Sequence, residues 1–213
     1  METKKVIFFM ISLFCLGLTR IQAQNTVKDI DGNVYKTITI GKQTWMAENL
    51  KTTKYNDGSA IPNVAATTER ATLLAPGYNW YNNDEVTNKA TYGALYNGYA
   101  VNTGKLCPKG WHVPSDDEWT TLTDTLGDNN ADKLKETGIT HWASPNADAT
   151  NESGFTALPG GISYGGTFIG VGYRGFWWSS TDYWYREMVY DNRYVLREQC
   201  LKENLLSVRC LKN

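Results

Sequence analysis

Histidine and paired cysteines are scarce in this chain. Its only histidines are His112 and His141, and no two cysteines form a C-x-x-C pair. A structural zinc site usually needs four cysteine or histidine ligands at short spacings. We therefore expect no zinc site, and nothing in the sequence indicates a resident cofactor of another kind.

An excess of basic residues is also absent. The 21 Lys and Arg residues are balanced by 22 Asp and Glu residues, which gives a formal net charge of −1 at pH 7. Proteins that bind nucleic acids or anionic lipid surfaces usually carry clustered positive charge. The composition therefore predicts no nucleic-acid partner.

The one long apolar run lies at the start of the chain. Lys4 and Lys5 precede the uncharged residues 6–18, and Ala23 follows a more polar stretch. A short positive region, an apolar run and a small residue before the cleavage site are typical of a secretory signal peptide. We predict that residues 1–23 are a signal peptide and that the mature chain begins at Gln24.

The predicted mature chain, residues 24–213, is long enough for one domain. The apolar run is shorter than a comfortable membrane span, and no later segment resembles one. Cys15 follows Phe14 instead of a small residue, so the signal lacks a lipid-attachment motif. These features predict a secreted, periplasmic or cell-surface protein without a membrane span in its mature part.

Turn-forming residues organise the first part of the mature chain. Residues 29–40 are expected to form a hairpin that turns at Asp31 and Gly32. The run DIDGN also resembles the start of an EF-hand loop, but Ile40 stands where that loop needs a glutamate. A strand near 44–46 and a second turn at 56–58 should follow the hairpin.

The middle of the chain contains two predicted helices. Ser115 and Glu118 form an S-x-x-E capping box, after which apolar residues share one helix face and Gly127 ends the helix. A shorter helix is expected over residues 131–136. Residues 59–88 are predicted to be a long loop with a short helix near 67–74, and residues 92–101 a buried stretch.

The last third is rich in glycine and aromatic residues. Short strands are expected near residues 177–180, 187–190, 193–196 and 205–210. Helices in the middle and strands at both ends indicate an α+β fold instead of a parallel βαβ sheet. The expected architecture is two short helices with small antiparallel sheets and long loops.

Six motifs occur together in a characteristic order. They are TWMAENLKTTKYNDG (44–58), YGALYNGYAV (92–101), CPKGWHVPSDDEW (107–119), SGFTALPGG (153–161), FWWSST (176–181) and SVRCLKN (207–213). In this order they resemble the Fibrobacter succinogenes major paralogous domain, a family of exported bacterial proteins without an assigned activity. That family is similar, more distantly, to the C-type-lectin-like fold of sulfatase-modifying-factor domains.

The resemblance to C-type lectins does not extend to their calcium site. Sugar-binding members hold calcium with Glu-Pro-Asn or Gln-Pro-Asp and with Trp-Asn-Asp. Here the corresponding regions read Ser-Pro-Asn at 144–146 and Ser-Ser-Thr at 179–181. A calcium-dependent sugar mechanism is therefore not expected, and similarity of fold alone does not transfer a function.

Three cysteines remain after the predicted cleavage, so at least one pair is expected in an oxidising compartment. In the fold that the chain resembles, Cys107 opens the strand-to-helix segment and Cys210 closes the last strand. We predict a disulfide between them, with Cys200 free or paired with another chain. Sulfatase-modifying factors act through a pair of active-site cysteines, and this assignment leaves no such pair.

Two patterns resemble catalytic motifs. Residues 161–165 match G-x-S-x-G, but both histidines precede Ser163, whereas α/β-hydrolases place the catalytic histidine after the serine. The neighbouring carboxylates Asp116, Asp117 and Glu118 could suggest a glycosidase, yet their place at a helix start accounts for them. We predict that the protein is not an enzyme.

The densest cluster of aromatic and basic residues lies between residues 164 and 193. We select as candidate ligand-binding residues Tyr164, Tyr173, Arg174, Trp178, Trp184 and Arg193. Because side chains alternate along a strand, we expect one of Trp177 and Trp178 to lie in the core and the other closer to solvent. The competing interpretation is that nearly all these rings fill a core rich in loops.

Two function classes remain. In the first, the protein is an exported binding module that holds a glycan at the cell surface through exposed rings. In the second, it is a structural or protein-interaction module of an extracellular assembly, with a cell-surface protein as partner and no small ligand. A wet aromatic patch favours the first hypothesis, and a broad apolar face near Cys200 favours the second.

Overall fold

The computed structural model describes residues 25–64 and 74–213. The predicted signal peptide lies outside the described residues, as does nearly all of the short helix predicted near residues 67–74. Within the described ranges, no helix has both the length and the apolar character needed to cross a bilayer.

The chain begins with the predicted hairpin. Strand β1 (Thr26–Lys28) pairs antiparallel with β2 (Val34–Ile40), and β3 (Gln43–Met46) pairs with β2. In the first turn, Gly32 has a φ of 90°, and Asp29 accepts hydrogen bonds from the Asn33 backbone and from the Tyr35 hydroxyl. The Asp29 carboxylate therefore fixes the turn, which confirms the interpretation of DIDGN as a hairpin turn.

A five-stranded sheet joins the two ends of the domain. Its order is β1-β2-β3-β13-β6, where β6 is Trp111–His112 and β13 is Leu211–Lys212. Beside it, Cys107 and Cys210 form the predicted disulfide, and Cys200 is not part of a disulfide. The last strand thus lies between strands from the beginning and the middle of the chain.

A larger sheet of eight strands forms the centre of the molecule. Its main path is β11-β10-β9-β12-β5-β4, and β7 pairs with β12 and with β8. The strands are β4 (Tyr78–Asn79), β5 (Leu95–Asn97), β7 (Ile162–Tyr164), β8 (Thr167–Ile169), β9 (Arg174–Trp178), β10 (Trp184–Val189), β11 (Leu196–Gln199) and β12 (Leu205–Ser207).

This large sheet corrects the expectation of small antiparallel sheets. It is mostly antiparallel, but β12 runs parallel to β9, with Ser207 opposite Trp177. Strands β10 and β11 lie between β9 and β12 in the sequence, so β9 and β12 do not form a hairpin. Their pairing therefore has no tight turn that the sequence could reveal. The four strands predicted in the last third lie within about three residues of observed ones.

The capped helix and the helix predicted over residues 131–136 are both present, and the described residues contain two further short helices that were not predicted. They are α1 (Glu85–Asn88), α2 (Gly98–Val101), α3 (Asp116–Leu126) and α4 (Asn130–Leu134), with a 3-10 turn at Tyr81–Asn83. The capping box of Ser115 and Glu118 is formed at the start of α3. Helices α1 and α2 are single turns capped by Asp84 and Asn97, too short to show helical periodicity.

Apolar clusters cover both faces of the large sheet. One cluster contains Trp178, Phe176 and Leu206, and the other contains Trp177 and Met188 together with residues of α3 and α4. Trp177 and Trp178 point to opposite faces, as alternation requires, but both are buried. The expectation that one of them lies closer to solvent is therefore wrong. The architecture is of the α+β type, dominated by sheets.

Candidate functional site

The structure does not bring the six candidate residues together. Trp178 is 1% exposed, and its Nε1 donates a hydrogen bond to the Tyr96 carbonyl at 2.7 Å. Its assignment as a ligand contact is therefore wrong, because neither its ring nor its N–H is available at the surface. The sheet explains this burial, since β9 is an inner strand with a packed cluster on each face.

The two arginines of the set are engaged in ion pairs. Arg174 Nη1 lies 3.1 Å from Glu187 Oε1, and Arg193 Nε lies 2.7 Å from Asp132 Oδ2. Burial raises the pKa of Glu187, although Arg174 opposes that change. Both arginine side chains keep about half of their surface exposed, so they can still donate further hydrogen bonds.

Trp184 is partly buried beneath a cation. The guanidinium carbon of Arg197 lies 3.4 Å from the centre of the Trp184 ring. Arg197 also binds Asp116, as does the buried Arg186. Burial disfavours the charged form of Asp116, but hydrogen bonds from Arg197 and Arg186 outweigh this effect and lower its pKa. One ring face of Trp184 is thus covered by a network that joins β10 and β11 to the start of α3.

Tyr164 lines a depression in the surface. It ends β7 and faces the segment that follows β11, where a depression of about 320 Å³ is lined by Tyr164, Tyr183, Gln199, Cys200 and Leu201. A second depression of about 180 Å³ shares Tyr164 and Leu201 and adds Glu203 and Asn204. We call the two together the tyrosine depression.

Both rings of the tyrosine depression are exposed, and Tyr183 is held in place by its neighbours. Tyr164 is 59% and Tyr183 47% exposed. Tyr183 has a φ of 68°, and its carbonyl accepts the Cys200 N–H at 2.9 Å. The Lys202 ammonium lies 5.2 Å from the Tyr183 ring, which attracts the cation through its π face. Asn204, almost fully buried, accepts the Gly165 N–H and so joins the β7–β8 turn to the far wall.

Cys200 lines the tyrosine depression but lacks the properties of a reactive thiol. Burial raises the pKa of its thiol to about 12. The thiolate, which is the nucleophilic form, is therefore scarce at neutral pH.

The serine of the G-x-S-x-G match lies in the interior of a sheet. Ser163 is 1% exposed and is paired with β12 on one side and β8 on the other. A nucleophile elbow would need a sharp strand-to-helix turn at this serine. His112 hydrogen-bonds with Glu118 and Asn213, and His141 hydrogen-bonds with Glu136.

Two of the three carboxylates at the start of α3, those of Asp116 and Glu118, have structural partners. Glu118 closes the capping box and contacts His112, while Asp116 binds two arginines. This confirms the interpretation of these residues as helix-start residues. Across residues 25–64 and 74–213, no group of three or more His, Cys, Asp or Glu side chains is arranged to hold a metal ion.

Sequence reasoning missed two features of the surface. Residues 199–204 complete the tyrosine depression, but this polar segment has no periodicity that could mark it. Arg209 is 1% exposed and lines a small cavity. An arginine within the largely apolar run LLSVRCL, which contains no other charged residue, was the available signal for a buried cation.

Comparisons with known proteins place the chain in a family. No curated protein and no solved structure matches it. The model of one family, described as the Fibrobacter succinogenes major domain, matches residues 38–212. This range runs from the middle of β2 into β13, and it contains every candidate residue named above. The chain therefore belongs to the Fibrobacter succinogenes major domain family.

Proposed function

We propose that this protein is an exported, non-catalytic module that binds a saccharide through the tyrosine depression. The observation that carries the proposal is the pair of exposed rings, Tyr164 and Tyr183, beside polar side chains in one concave surface. Aromatic faces can stack on the C–H faces of sugar rings, and nearby polar groups then fix orientation. Gln199 and Glu203 are suited to that second task.

Several features support export and the absence of catalysis. A disulfide such as Cys107–Cys210 is stable in oxidising compartments outside the cytosol, which agrees with a signal peptide over residues 1–23. The buried position of Ser163 and the protonated thiol of Cys200 offer no activated nucleophile in these two places.

The proposal includes a C-type-lectin-like arrangement of the chain. The support is that the segment SVRCLKN supplies the closing strand of the first sheet, as the resemblance implies. The strand β6 also leads directly into the capped helix α3, which is the strand-to-helix step expected for GWHVPSDDEW.

A second candidate function is protein interaction. Leu201 is 65% exposed next to Cys200, and Ile169 is 49% exposed at the end of β8. Apolar side chains at a surface can mark a contact with another protein. In this alternative the same surface would contact a cell-surface protein, and no saccharide would bind.

A glycan array probed with the mature protein tests the proposal. We expect binding to a saccharide class that survives addition of EDTA, because stacking on tyrosine rings needs no metal ion. Tyr164→Ala should abolish most of this signal. Tyr194→Ala is the matched control, since Tyr194 is 51% exposed but does not line the tyrosine depression. Absence of any array signal, or equal loss in both variants, would contradict the proposal.

A further inference from the structure

Arg209 is a buried cation that no carboxylate contacts in the part of the chain that is described. Its guanidinium donates to the Phe155 carbonyl, to Asn49 Oδ1 at 3.0 Å and to the Thr156 carbonyl at 3.3 Å. Its Nε–H has no acceptor among the described residues. Burial lowers the pKa of Arg209 to about 9, so the side chain remains positively charged at neutral pH.

Two other cations in the described ranges, Arg186 and Lys135, are also fully buried, but their donors find acceptors. Arg186 binds the carboxylate and the carbonyl of Asp116. Lys135 donates to three backbone carbonyls, those of Ala147, Val189 and Asn192. An ammonium has three N–H groups, so this set satisfies Lys135 completely. Of the three cations, only Arg209 keeps a buried donor without an acceptor in the described ranges.

The unsatisfied donor belongs to a residue that lines a cavity. This cavity has a volume of about 70 Å³, and Asn49, Lys51, Thr91, Thr156 and Arg209 are among the residues around it. A single water needs roughly 10–15 Å³ of such volume, so the space can hold several waters or one small polar group. A buried N–H without an acceptor is unfavourable, and a bound acceptor would relieve this cost.

The charges around the cavity favour a negatively charged occupant. Arg209 and Lys51 are positive and Glu48 is negative, which leaves a net charge of +1. The Glu48 carboxylate already accepts the Lys36 N–H at 3.1 Å and lies 3.6 Å from the Lys51 ammonium. It therefore does not supply the missing acceptor for Arg209.

The cavity adjoins a wider groove at the surface. Lys51 and Ala90 line both spaces, and the groove has a volume of about 460 Å³. Val86 adds an exposed apolar side chain to its wall, while Lys89 and Glu85 form an ion pair there at 2.7 Å and together add no net charge. A ligand with an acidic end could place that end against Arg209 and the rest of its body in the groove.

We propose that this cavity binds the carboxylate of a small acidic ligand. A carboxylate is planar, carries one negative charge and accepts hydrogen bonds from guanidinium groups with good geometry. The volume of about 70 Å³ suits such a group at the end of a molecule. The site shares no lining residue with the tyrosine depression, so the two proposals can fail separately.

The Nε–H of Arg209 is itself the best reporter. In protein labelled with ¹⁵N-arginine, its side-chain resonance can be followed by NMR during titrations with sodium acetate and sodium D-glucuronate. D-glucose serves as the neutral control for glucuronate, and sodium chloride as the control for simple anions. We expect saturable downfield movement of this resonance with both carboxylates and none with glucose.

Two variants make the test decisive. Ala90→Trp, at an exposed position shared by the cavity and the groove, should block entry and weaken glucuronate binding about tenfold or more. Tyr164→Ala should leave the response unchanged, because it alters only the tyrosine depression. A resonance that responds to chloride but to neither carboxylate, or to none of the probes, overturns the proposal. A carboxylate response that persists in Ala90→Trp also contradicts entry through the groove.

Discussion

The core and the surface of this protein use different aromatic residues. Six of the eight tryptophans are buried, whereas within residues 25–64 and 74–213 the aromatic side chains that are more than about two-fifths exposed are all tyrosines, namely Tyr164, Tyr173, Tyr183 and Tyr194. Trp142, Trp177 and Trp178 each donate their indole N–H to an acceptor inside the domain. A tyrosine at the surface can bury part of its ring and leave its hydroxyl in water.

This difference shows why the density of aromatic residues along the chain is a poor guide to a binding face. The stretch from residue 164 to residue 193 contains rings of both kinds, because its strands run through the middle of a sheet that is packed on both faces. Exposure depends on which clusters cover each strand. Four variants probe the comparison, from the largest expected loss of stability to the smallest.

The largest effect should come from the disulfide, which belongs to the same core cluster as Trp178. Cys107 and Cys210 are 103 residues apart. Closing a loop of this length stabilises the folded state by about 4–5 kcal/mol in the chain-entropy model. The double variant Cys107→Ala, Cys210→Ala should lose about this amount in urea unfolding. Cys200→Ala is the control, and it should change the free energy of unfolding far less.

Trp177 tests the core itself. It is fully buried, and its N–H donates to Asn49 Oδ1, which also accepts a hydrogen bond from Arg209. Trp177→Ala should therefore lower the free energy of unfolding by about 3–5 kcal/mol. Trp177→Phe keeps a ring but removes the N–H, so its loss should be smaller. A near-neutral Trp177→Ala would mean that the large sheet is not packed on that face.

Sequence reasoning succeeded where the signal was local. The capping box of Ser115 and Glu118 placed the start of α3, and Asp31 and Gly32 placed the first turn, because each pattern involves neighbours a few residues apart. The position of Cys107 and Cys210 in the resembling fold gave the disulfide. The predicted strand at 193–196 lies three residues early, since Asn192 instead forms a turn with the Tyr194 N–H.

The features that the sequence did not predict depend on contacts between distant parts of the chain. The burial of Trp178 follows from its pairing across 82 residues with Tyr96, and no local pattern reveals such a partner. The tyrosine depression combines the end of β7 with a segment that follows β11. Arg209 becomes a cavity residue only because residues 47–51, 90–93 and 156–158 surround it. The sequence shows which side chains are available, but it does not show which residues surround each of them in the fold.

Trp184 is intermediate in burial between the tryptophans of the core and the tyrosines of the surface. It is partly buried, and Arg197 covers one face of its ring. Trp184→Ala should lower the free energy of unfolding by about 1–2 kcal/mol, through lost contact area and a lost cation–π interaction. Trp184→Phe should recover part of this loss. Saccharide affinity should change less than twofold, since Trp184 does not line the tyrosine depression; a larger loss at unchanged stability would make Trp184 itself a ligand contact.

The smallest loss of stability should come from the tyrosine depression, where function and folding are expected to separate. Tyr183→Ala removes a ring that is 47% exposed, so the free energy of unfolding should fall by less than about 1 kcal/mol. If Tyr183 stacks on a sugar, the same change should weaken saccharide binding by about 1–3 kcal/mol, because an aromatic anchor often dominates a small interface. Tyr183→Phe should retain most of the affinity, since the ring face and not the hydroxyl makes the contact. Titration calorimetry with a saccharide identified on the array, combined with urea unfolding of each variant, checks both quantities. Equal affinity in Tyr183→Ala and wild type would leave this ring without a binding role, and a stability loss as large as that of Trp177→Ala would remove the distinction between tryptophan core and tyrosine surface.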